Sequence, residues 1–344
     1  MLPLRWTDDA GLDEMTRYLR WLASVVDEVI VVDGSPDEVF AAHRDAWSGF
    51  VAHARPDPRL TFQNRKVAGV DTGVWMAANE AVVIADDDVR YGLGELEAMT
   101  DALSRAHLVR PHNYFSPLPW HARWDTGRTL LNRAVGGDYP GTLGVRASCF
   151  RAIDGYDGNV LFENLELIRS VEAAGGVVCT RFDILVERRP PTTRHFLGQR
   201  VRQAYDDFTL PLRLALFLSI APAVGVAAER RRWDAVALAG LVCVGVAERG
   251  RRRAGGARVF PPSTALMAPL WAGERAVTAW LALWRRVARG GTKYGDGVIA
   301  RSATPPRELR PRLAGLAPPL EPLEPRPRPT PRRSPGAPAD MTAR

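Results

Sequence analysis

The sequence predicts an α/β domain with a mostly parallel sheet, followed by apolar helices and a polar tail. Short runs of β-branched residues, such as Val29–Val32 and Val82–Ala85, alternate with longer stretches of helical spacing, as in domains built on a parallel sheet. After about Phe208 the chain changes to long apolar stretches. Hydrophobic residues make up 46% of the 344 positions, which excludes a wholly disordered chain.

The elements of the first region follow one another along residues 1–208. Apolar residues at helical spacing predict a helix over Leu12–Leu22, and β-branched residues predict the strand Val29–Val32. Glycines at positions 175 and 176 mark the end of a later helix. The further predicted elements are a short strand over Leu60–Gln63, a helix over Val67–Asn79, the strand Val82–Ala85, helices over Leu93–Leu108 and Leu161–Ala174, and a strand beginning at Val177.

Three apolar stretches dominate residues 209–301. Thr209–Ala228 has about the length of a membrane-spanning helix, whereas Ala235–Ala247 is too short to span comfortably. Ala265–Val287 is rich in tryptophan, a residue enriched at membrane boundaries, although it carries charged residues near its centre. These stretches predict membrane-associated helices, with a buried helical bundle of a soluble protein as the alternative.

Basic residues are concentrated beside these apolar stretches. The net charge is +7, and arginines cluster at 230–232 and 249–253 without interleaved aromatic residues. That placement favours a cytoplasmic membrane face over nucleic-acid binding. We therefore expect a cell-membrane protein whose first region is cytoplasmic, with no nucleic-acid partner. Three distant cysteines also fit a reducing compartment, and the Pro- and Arg-rich residues 302–344 are predicted to be a disordered tail.

Three consecutive aspartates, Asp86, Asp87 and Asp88, directly follow the predicted strand Val82–Ala85. In open α/β sheets, ligands bind at the carboxyl ends of the strands. Asp86 and Asp88 offer oxygen ligands of the kind that Mg²⁺ prefers, and a bound cation would relieve the repulsion between them. The segment predicts a metal site, with an acidic turn as the alternative.

Two polar segments lie beside the same predicted strand ends. Asp33 and Ser35 follow the strand Val29–Val32, where a carboxylate can bind a nucleobase or ribose, although an ordinary Asx turn is the alternative. Arg65 and Lys66 open the predicted helix Val67–Asn79. Cations at a helix N-terminus suit a phosphate, with a solvated loop as the alternative.

Two further segments carry candidate chemistry in the second half of the first region. Glu163 and Glu166 are three apart and share one face of a helix, where a carboxylate aimed into a cleft can act as a general base. Two surface glutamates favoured by the helix dipole are the alternative. Arg202 lies in the basic segment 199–203 and could neutralise a pyrophosphate, or belong to a basic helix before a membrane segment.

In this order the segments resemble the family-two glycosyltransferases, which have the Rossmann-like GT-A fold. The resemblance covers roughly residues 25–208 and, more loosely, the apolar region after them. Processive and lipid-directed members carry Gln-x-x-Arg-Trp before their membrane helices, and Gln203 stands here in place of the tryptophan. The matching segments are Val32-Asp33-Gly34-Ser35, Asn64-Arg65-Lys66, Asp86-Asp87-Asp88, Gly155-Tyr156-Asp157 leading to Glu163-Asn164, and Gln199-Arg200-Val201-Arg202.

The resemblance implies an inverting transferase of the hexosyltransferase type. Such an enzyme moves a sugar from a nucleotide-diphosphate sugar to a lipid, lipid-linked or saccharide acceptor at the cytoplasmic membrane face, with Mg²⁺ or Mn²⁺ as cofactor. The implied roles are donor binding by Asp33, Ser35, Lys66, Asp86 and Asp87, metal binding by Asp86 and Asp88, and catalysis by Glu163, Glu166 and Arg202.

One departure from the family pattern concerns the proton acceptor. The aspartate expected as the base falls on Asn164, whose amide does not usefully accept a proton. Either Glu163 or Glu166 then serves as the base, or the chain is a membrane-tethered, non-catalytic protein or assembly subunit that binds a sugar nucleotide. A nucleotidyltransferase of similar fold is less favoured, because no Gly-rich basic phosphate loop occurs near the N-terminus.

Overall fold

A computed structural model describes residues 1–294 and 297–323 of the chain. Its strands are β1 (Leu2–Leu4), β2 (Ile30–Asp33), β3 (Ala52–Ala54), β4 (Ala81–Ala85), β5 (Val89–Arg90), β6 (Leu108–Phe115), β7 (Thr142–Arg146), β8 (Val178–Arg188), β9 (Thr292–Tyr294) and β10 (Gly297–Ile299). Its α-helices are α1 (Leu12–Val25), α2 (Asp37–Trp47), α3 (Arg65–Met76), α4 (Leu93–Leu103), α5 (Trp120–Val135), α6 (Ala147–Ala152), α7 (Glu163–Ala173), α8 (Thr193–Tyr205), α9 (Pro211–Glu229), α10 (Trp233–Arg252), α11 (Pro262–Ala265), α12 (Ala268–Arg289) and α13 (Pro306–Leu313). Short 3₁₀ helices cover Asp206–Thr209 and Arg253–Arg258.

The strands of the first region form two sheets. In the three-stranded sheet β1-β2-β3 both pairs are parallel, as the alternation of strands and helices predicts. The five-stranded sheet β4-β7-β6-β8-β5 is mixed, and only β6 and β8 are parallel in it. The mixture arises because β7, whose five residues are all buried, runs between β4 and β6 in the opposite direction to both.

Met1 connects the two sheets. The Ala85 N–H donates to the carbonyl of Met1 (3.1 Å), and the backbone nitrogen of Met1 donates to the carbonyl of Val83 (2.9 Å). Strand β1 therefore lies beside β4. Helix α3 covers the junction, and its buried residues Val67 and Val70 belong to a core that contains residues of both sheets. The carboxyl ends of β2 and β4 consequently open onto a common cleft.

The C-terminal helices are only partly separate from the first region. Among the described residues, α9 alone has the length and apolar composition to cross a membrane, with 19 residues, a mean hydropathy of 1.7 and 6% of its apolar window buried. Helix α12, in contrast, packs against α5 and α8. Its buried Arg275 faces Asp207 (3.4 Å), and its Glu274 accepts a hydrogen bond from Arg200 (2.6 Å). The predicted boundary at residue 208 therefore does not separate two packing units.

The prediction of a disordered tail from residue 302 is wrong for residues 302–323. Helix α13 packs against α7, and its Leu309 and Leu313 are buried in the main core. Further along, the Ala317 N–H donates to the carbonyl of Ala174 (3.1 Å). Two leucines four apart give one short helix an apolar face despite the proline-rich composition. Residues 324–344 of the predicted tail lie outside the described residues.

Two predicted elements of the first region also differ from the structure. Leu60–Gln63 forms no strand, and the third parallel strand is instead the less apolar Ala52–Ala54. The predicted helix Leu93–Leu108 ends at Leu103, and Leu108 begins the strand β6. Leu103 and Leu108 are both fully buried, so their apolar character alone does not distinguish a helix from a strand.

Candidate active site

A cleft of about 1060 Å³ opens at the carboxyl ends of β2 and β4. Its lining includes nine lysine or arginine side chains and six aspartate or glutamate side chains. This cationic excess favours an anionic ligand. Of the residues predicted for the site, Lys66, Asp86, Asp87, Glu163 and Arg202 line the cleft.

Asp86 is held at the floor of the cleft by backbone and side-chain contacts. Its N–H donates to the carbonyl of Gly141 (2.8 Å). One carboxylate oxygen lies 2.5 Å from the Lys66 ammonium, and the other lies 3.4 Å from the Arg188 guanidinium. A Cβ at position 141 would lie 2.6 Å from Asp86 Oδ2 and 3.0 Å from Arg188, so any residue larger than glycine would displace these two side chains.

Lys66 joins two predicted segments that are far apart in the sequence. The side chain of Asn64 caps α3 by accepting a hydrogen bond from the Lys66 N–H (3.2 Å), which places Lys66 in the first helical turn. Its ammonium contacts Asp86 and also lies 2.8 Å from Glu163 Oε1. Burial lowers the pKa of Lys66, but the two carboxylates outweigh burial and raise the pKa above its ordinary value. Lys66 is therefore a fixed positive charge between two carboxylates.

Asp87 and Asp88 complete the acidic triplet. Asp87 accepts a hydrogen bond from the indole of Trp6 (2.5 Å). Asp88 Oδ2 accepts one from Arg188 Nε (2.9 Å), while Asp88 Oδ1 is buried without a hydrogen-bond partner among the described residues. Burial raises the pKa of Asp88, although Arg188 lowers it.

The Asp86 and Asp88 carboxylates fit a hard divalent cation. Both accept from Arg188, so the spacing of two residues brings the two carboxylates to one positive group. The unpartnered Oδ1 of Asp88 is a further buried oxygen that is available as a metal ligand. Carboxylate oxygens are the ligands that Mg²⁺ and related hard cations prefer.

The side chains of Asp33 and Ser35 do not line the cleft, contrary to their predicted donor-binding role. Both are buried, and the Ser35 N–H donates to Asp33 Oδ1 (2.9 Å), which is the Asx turn. Asp33 Oδ2 lies 2.7 Å from His43 Nδ1 and 3.1 Å from His53 Nε2. Burial raises the pKa of Asp33, but its hydrogen bonds with His53, Ser35 and His43 outweigh burial and hold it far below its usual range. Only Gly34, between the two predicted residues, lines the cleft.

The Asp33, His43 and His53 side chains form a second group with metal-binding chemistry. Their potential ligand atoms all lie within 4.8 Å of one another. In the structure the carboxylate is satisfied by hydrogen bonds to both rings, and the two histidines stack on Trp47 and Phe40. These contacts indicate a structural role for the three side chains, which support the loop that contains Gly34.

Glu163 and Glu166 have different surroundings, although they lie on one helix. Glu163 begins α7 and faces the cleft. Glu166 is fully buried away from the cleft, where its carboxylate accepts from the Thr304 N–H (2.6 Å). The catalytic role predicted for Glu166 is therefore wrong, because the C-terminal segment covers it. Asn164 lines the cleft and donates its amide to the carbonyl of Pro140 (2.8 Å).

Arg202 is a cleft cation without an acidic partner. Its guanidinium donates to Gln199 Oε1 (2.9 Å) and lies 5.4 Å from the ring centre of Tyr294. Within residues 1–294 and 297–323 no carboxylate forms an ion pair with it. Such an arginine is available to an anionic ligand.

Sequence reasoning missed several residues of the cleft. Arg188 ends β8 and Tyr294 ends β9, so both follow the strand-end signal that identified Asp86. Asp206 directly follows α8, beyond the basic segment that drew attention to Arg202. Arg128 lies on α5, where its ion pairs with Asp125 and Asp138 gave no recognisable pattern.

No protein-family model and no curated protein matches the chain. Among solved structures, it is similar to a mannosyltransferase from Pyrobaculum calidifontis in complex with GDP-Man and Mn²⁺, with 16% identity over 83% of this chain and 87% of that chain and a TM-score of 0.45. It is also similar to TarS from S. aureus in complex with UDP-GlcNAc, with 11% identity over 57% of this chain and 59% of that one and a TM-score of 0.40.

A third similar structure is glucosyl-3-phosphoglycerate synthase from Mycobacterium tuberculosis in complex with Mn²⁺, UDP and phosphoglyceric acid. The identity is 14% over 57% of this chain and 72% of that chain, and the TM-score is 0.39. All three TM-scores are below 0.5, so these similarities do not establish the function of this chain.

Proposed function

We propose that the chain is a metal-dependent, inverting glycosyltransferase of the hexosyltransferase type that uses a nucleotide-diphosphate sugar. The observation that carries the proposal is the Lys66 ammonium, which lies between Asp86 at a strand end and Glu163 at a helix start. Lys66 thereby links Asp86, a carboxylate proposed to bind the metal, to Glu163 on the other side of a cleft that is rich in cations. Such a cleft suits a diphosphate beside a reacting sugar.

The donor diphosphate is held by cations of the chain. Lys66, Arg188 and Arg202 all line the cleft, and Arg202 has no acidic partner in the described part of the chain. Asp86 and Asp88 would hold Mg²⁺ or Mn²⁺. When bound, the ion supplies Lewis-acid stabilisation of the negative charge on the leaving diphosphate.

The transfer itself needs one proton acceptor from the chain. The acceptor hydroxyl oxygen forms a bond to the anomeric carbon as the bond from that carbon to the diphosphate breaks. The electron pair of the broken bond leaves with the nucleoside diphosphate. The hydroxyl proton passes to a carboxylate in the cleft. Asn164 does not fill this role, because its amide donates to Pro140.

The exposed surface of the C-terminal helices supports an acceptor at a membrane. Helix α9 is apolar and mostly exposed, and Trp280 and Trp284 of α12 are about half exposed. The arginines at 230–232, between α9 and α10, are exposed beside them. Exposed apolar helices with tryptophans and basic flanks favour association with an anionic lipid surface. We infer a lipid, lipid-linked or saccharide acceptor at the cytoplasmic face of the cell membrane, in envelope synthesis.

A second candidate function is non-catalytic binding of a sugar nucleotide by a membrane-tethered assembly subunit. Asn164 favours it, because the amide stands where the resemblance expects the base and is engaged with a backbone carbonyl. The two candidates differ in turnover. Both predict binding of the donor, and only the transferase releases a nucleoside diphosphate.

A panel of nucleotide-diphosphate sugars tests the proposal. The full chain in membrane extract is assayed for release of nucleoside diphosphate with Mg²⁺ or Mn²⁺, and Asp88→Asn is the matched variant. We expect release with one donor and its loss in Asp88→Asn. Binding without release in the presence of acceptor-containing membranes would favour the non-catalytic candidate, and release of pyrophosphate would identify a nucleotidyltransferase instead.

The location is tested separately by fractionation. The wild-type chain and a variant carrying Trp280→Ser and Trp284→Ser are floated with vesicles that contain anionic or only zwitterionic lipid. We expect the wild type to float with anionic vesicles and the variant to float less. Equal absence of both proteins from the vesicle fraction would remove the membrane part of the proposal and leave the transferase part intact.

A further inference from the structure

Among the described residues, two carboxylates of the cleft form no ion pair: Asp87, which accepts a hydrogen bond from the Trp6 indole (2.5 Å), and Asp206, which the proposed donor site does not use. Asp86 and Glu163 are ion-paired to Lys66, and Asp207 is ion-paired to Arg213 (2.9 Å) and Arg275 (3.4 Å). In the described part of the chain, Asp206 forms no ion pair. It begins the 3₁₀ helix that follows α8, and it lines the cleft.

The position of Asp206 is unusual for a carboxylate. Its Oδ1 is buried and has no hydrogen-bond partner among residues 1–294 and 297–323. A buried acceptor without a donor is costly unless a ligand or a proton satisfies it. Its neighbour Asp207 shows the usual solution, since two arginines hold that carboxylate in place. The contrast points to a role for Asp206 that is not structural.

Charged groups from four elements surround Asp206. Arg202 lies on α8, Arg128 on α5, Arg275 on α12 and Glu163 on α7, and Asp207 is the adjacent residue. The pKa of Asp206 is raised to about 7, mainly by burial and also by the negative charges of Asp207 and Glu163, while Arg202 and Arg275 act in the lowering direction. A carboxylate with a pKa near the working pH is suited to general-base catalysis.

We propose that Asp206 is the general base of the transfer reaction. This inference rests on the proposed function. The acceptor oxygen bonds to the anomeric carbon, its proton moves to the Asp206 carboxylate, and the nucleoside diphosphate leaves with the electron pair of the broken bond. The proton returns to solvent after product release. The unpartnered Oδ1 is then satisfied by the acceptor hydroxyl when substrate is bound.

Glu163 fits a different role in the same reaction. Its carboxylate lies 2.8 Å from the Lys66 ammonium. Protonating it would break this ion pair and leave the lysine with Asp86 alone. Glu163 is therefore a positioning residue that orients Lys66 toward the donor, whereas Asp206 touches the acceptor.

The experiment measures transfer by the full chain with the donor that the panel identifies, over a pH range from about 5 to about 9. The wild type should lose kcat/KM as the pH falls below about 7, because Asp206 must be ionised to accept a proton. Asp206→Asn should lower kcat by about 100-fold or more and remove this acid limb. Asp206→Glu, which keeps a carboxylate, should retain part of the rate and the acid limb.

Two controls separate this inference from the proposed function. Asp45→Asn, at an exposed aspartate of α2, should leave the rate unchanged. Binding of the nucleoside diphosphate, measured by calorimetry, should be the same in Asp206→Asn and the wild type, which also shows that the variant is folded. If no donor is turned over by the wild type, the proposed function fails. If the wild type is active and either lacks the acid limb or keeps its rate in Asp206→Asn, Asp206 is not the base.

Discussion

The two walls of the cleft differ in whether their charged side chains form ion pairs. On the donor wall, Lys66 and Arg188 are neutralised by Asp86, Asp88 and Glu163. The opposite wall carries Asp206 and Arg202 and is called the acceptor wall after Asp206, although we also assign Arg202 to the donor diphosphate. Neither residue has an ion-pair partner within the described residues. Removing one partner of a paired charge leaves the other partner uncompensated, whereas an unpaired charge in a cleft is available to a ligand. Substitutions on the donor wall should therefore affect both stability and activity, and those on the acceptor wall should affect activity alone.

The largest effect is expected from Lys66→Met. The change leaves Asp86 and Glu163 facing each other without the cation that separates them. We expect transfer to fall by about 1000-fold or more. The free energy of unfolding should fall by about 1 to 3 kcal/mol, less than for a fully buried ion pair, because 21% of the Lys66 side chain is exposed. Transfer assays and chemical denaturation measure the two effects. Unchanged stability would show that the donor wall is not held by this ion-pair network.

Removal of the divalent cation should have the next largest effect. Chelation should lower the rate of the wild type by about 100-fold, because the leaving diphosphate loses its Lewis acid. In Asp88→Asn the concentration of Mn²⁺ that restores half of the rate should rise by at least about tenfold, since loss of an outer-shell partner alone commonly costs that much in metal affinity and Asp88 is a proposed direct ligand. A titration of activity against Mn²⁺ measures both. A rate that chelation leaves intact would show that Lys66, Arg188 and Arg202 hold the diphosphate without a metal ion.

Arg202→Gln tests the acceptor wall by the same two measurements, the rate of transfer and the free energy of unfolding. The guanidinium contacts Gln199 and Tyr294 but no carboxylate in the part of the chain that the structure describes. We expect the rate to fall by about 10-fold to 100-fold, with a change in unfolding free energy within about 0.5 kcal/mol, as for substitutions that break no buried pair. A loss of stability as large as that of Lys66→Met would remove the distinction between the two walls.

The sequence predicts the donor wall better than the acceptor wall, for a physical reason. A strand end and a helix start are local signals, so Asp86 and Lys66 are recognisable from their immediate neighbours. Whether an Asx turn faces a cleft or the interior depends on more distant residues. Asp33 turns inward because His43 of α2 and His53 of β3 bind it, and neither element is evident in the apolar pattern.

The acceptor wall is built from segments whose contacts are distant in the sequence. Glu166 is removed from the cleft by Thr304, which lies in a segment whose composition predicts disorder. Helix α5 escaped prediction because its buried face is polar, with Asp125 and Arg128 paired inside the protein rather than exposed. A pattern search that equates burial with apolar residues does not find such a helix.

The smallest effect is expected from Asn164→Asp, which restores the residue that the family resemblance expects. The Asn164 amide donates to the carbonyl of Pro140 (2.8 Å), and a carboxylate at this position would face that carbonyl without a donor. The variant should lose about 1 to 2 kcal/mol of stability, as expected when a buried carbonyl loses its hydrogen bond. Its rate should change by less than about threefold, because Asp206 still accepts the proton. A gain in rate of about tenfold, with the acid limb shifted below the wild-type value near pH 7, would instead show that the acceptor hydroxyl lies beside residue 164. The chain would then have lost the base at position 164, and Asp206 would not have replaced it.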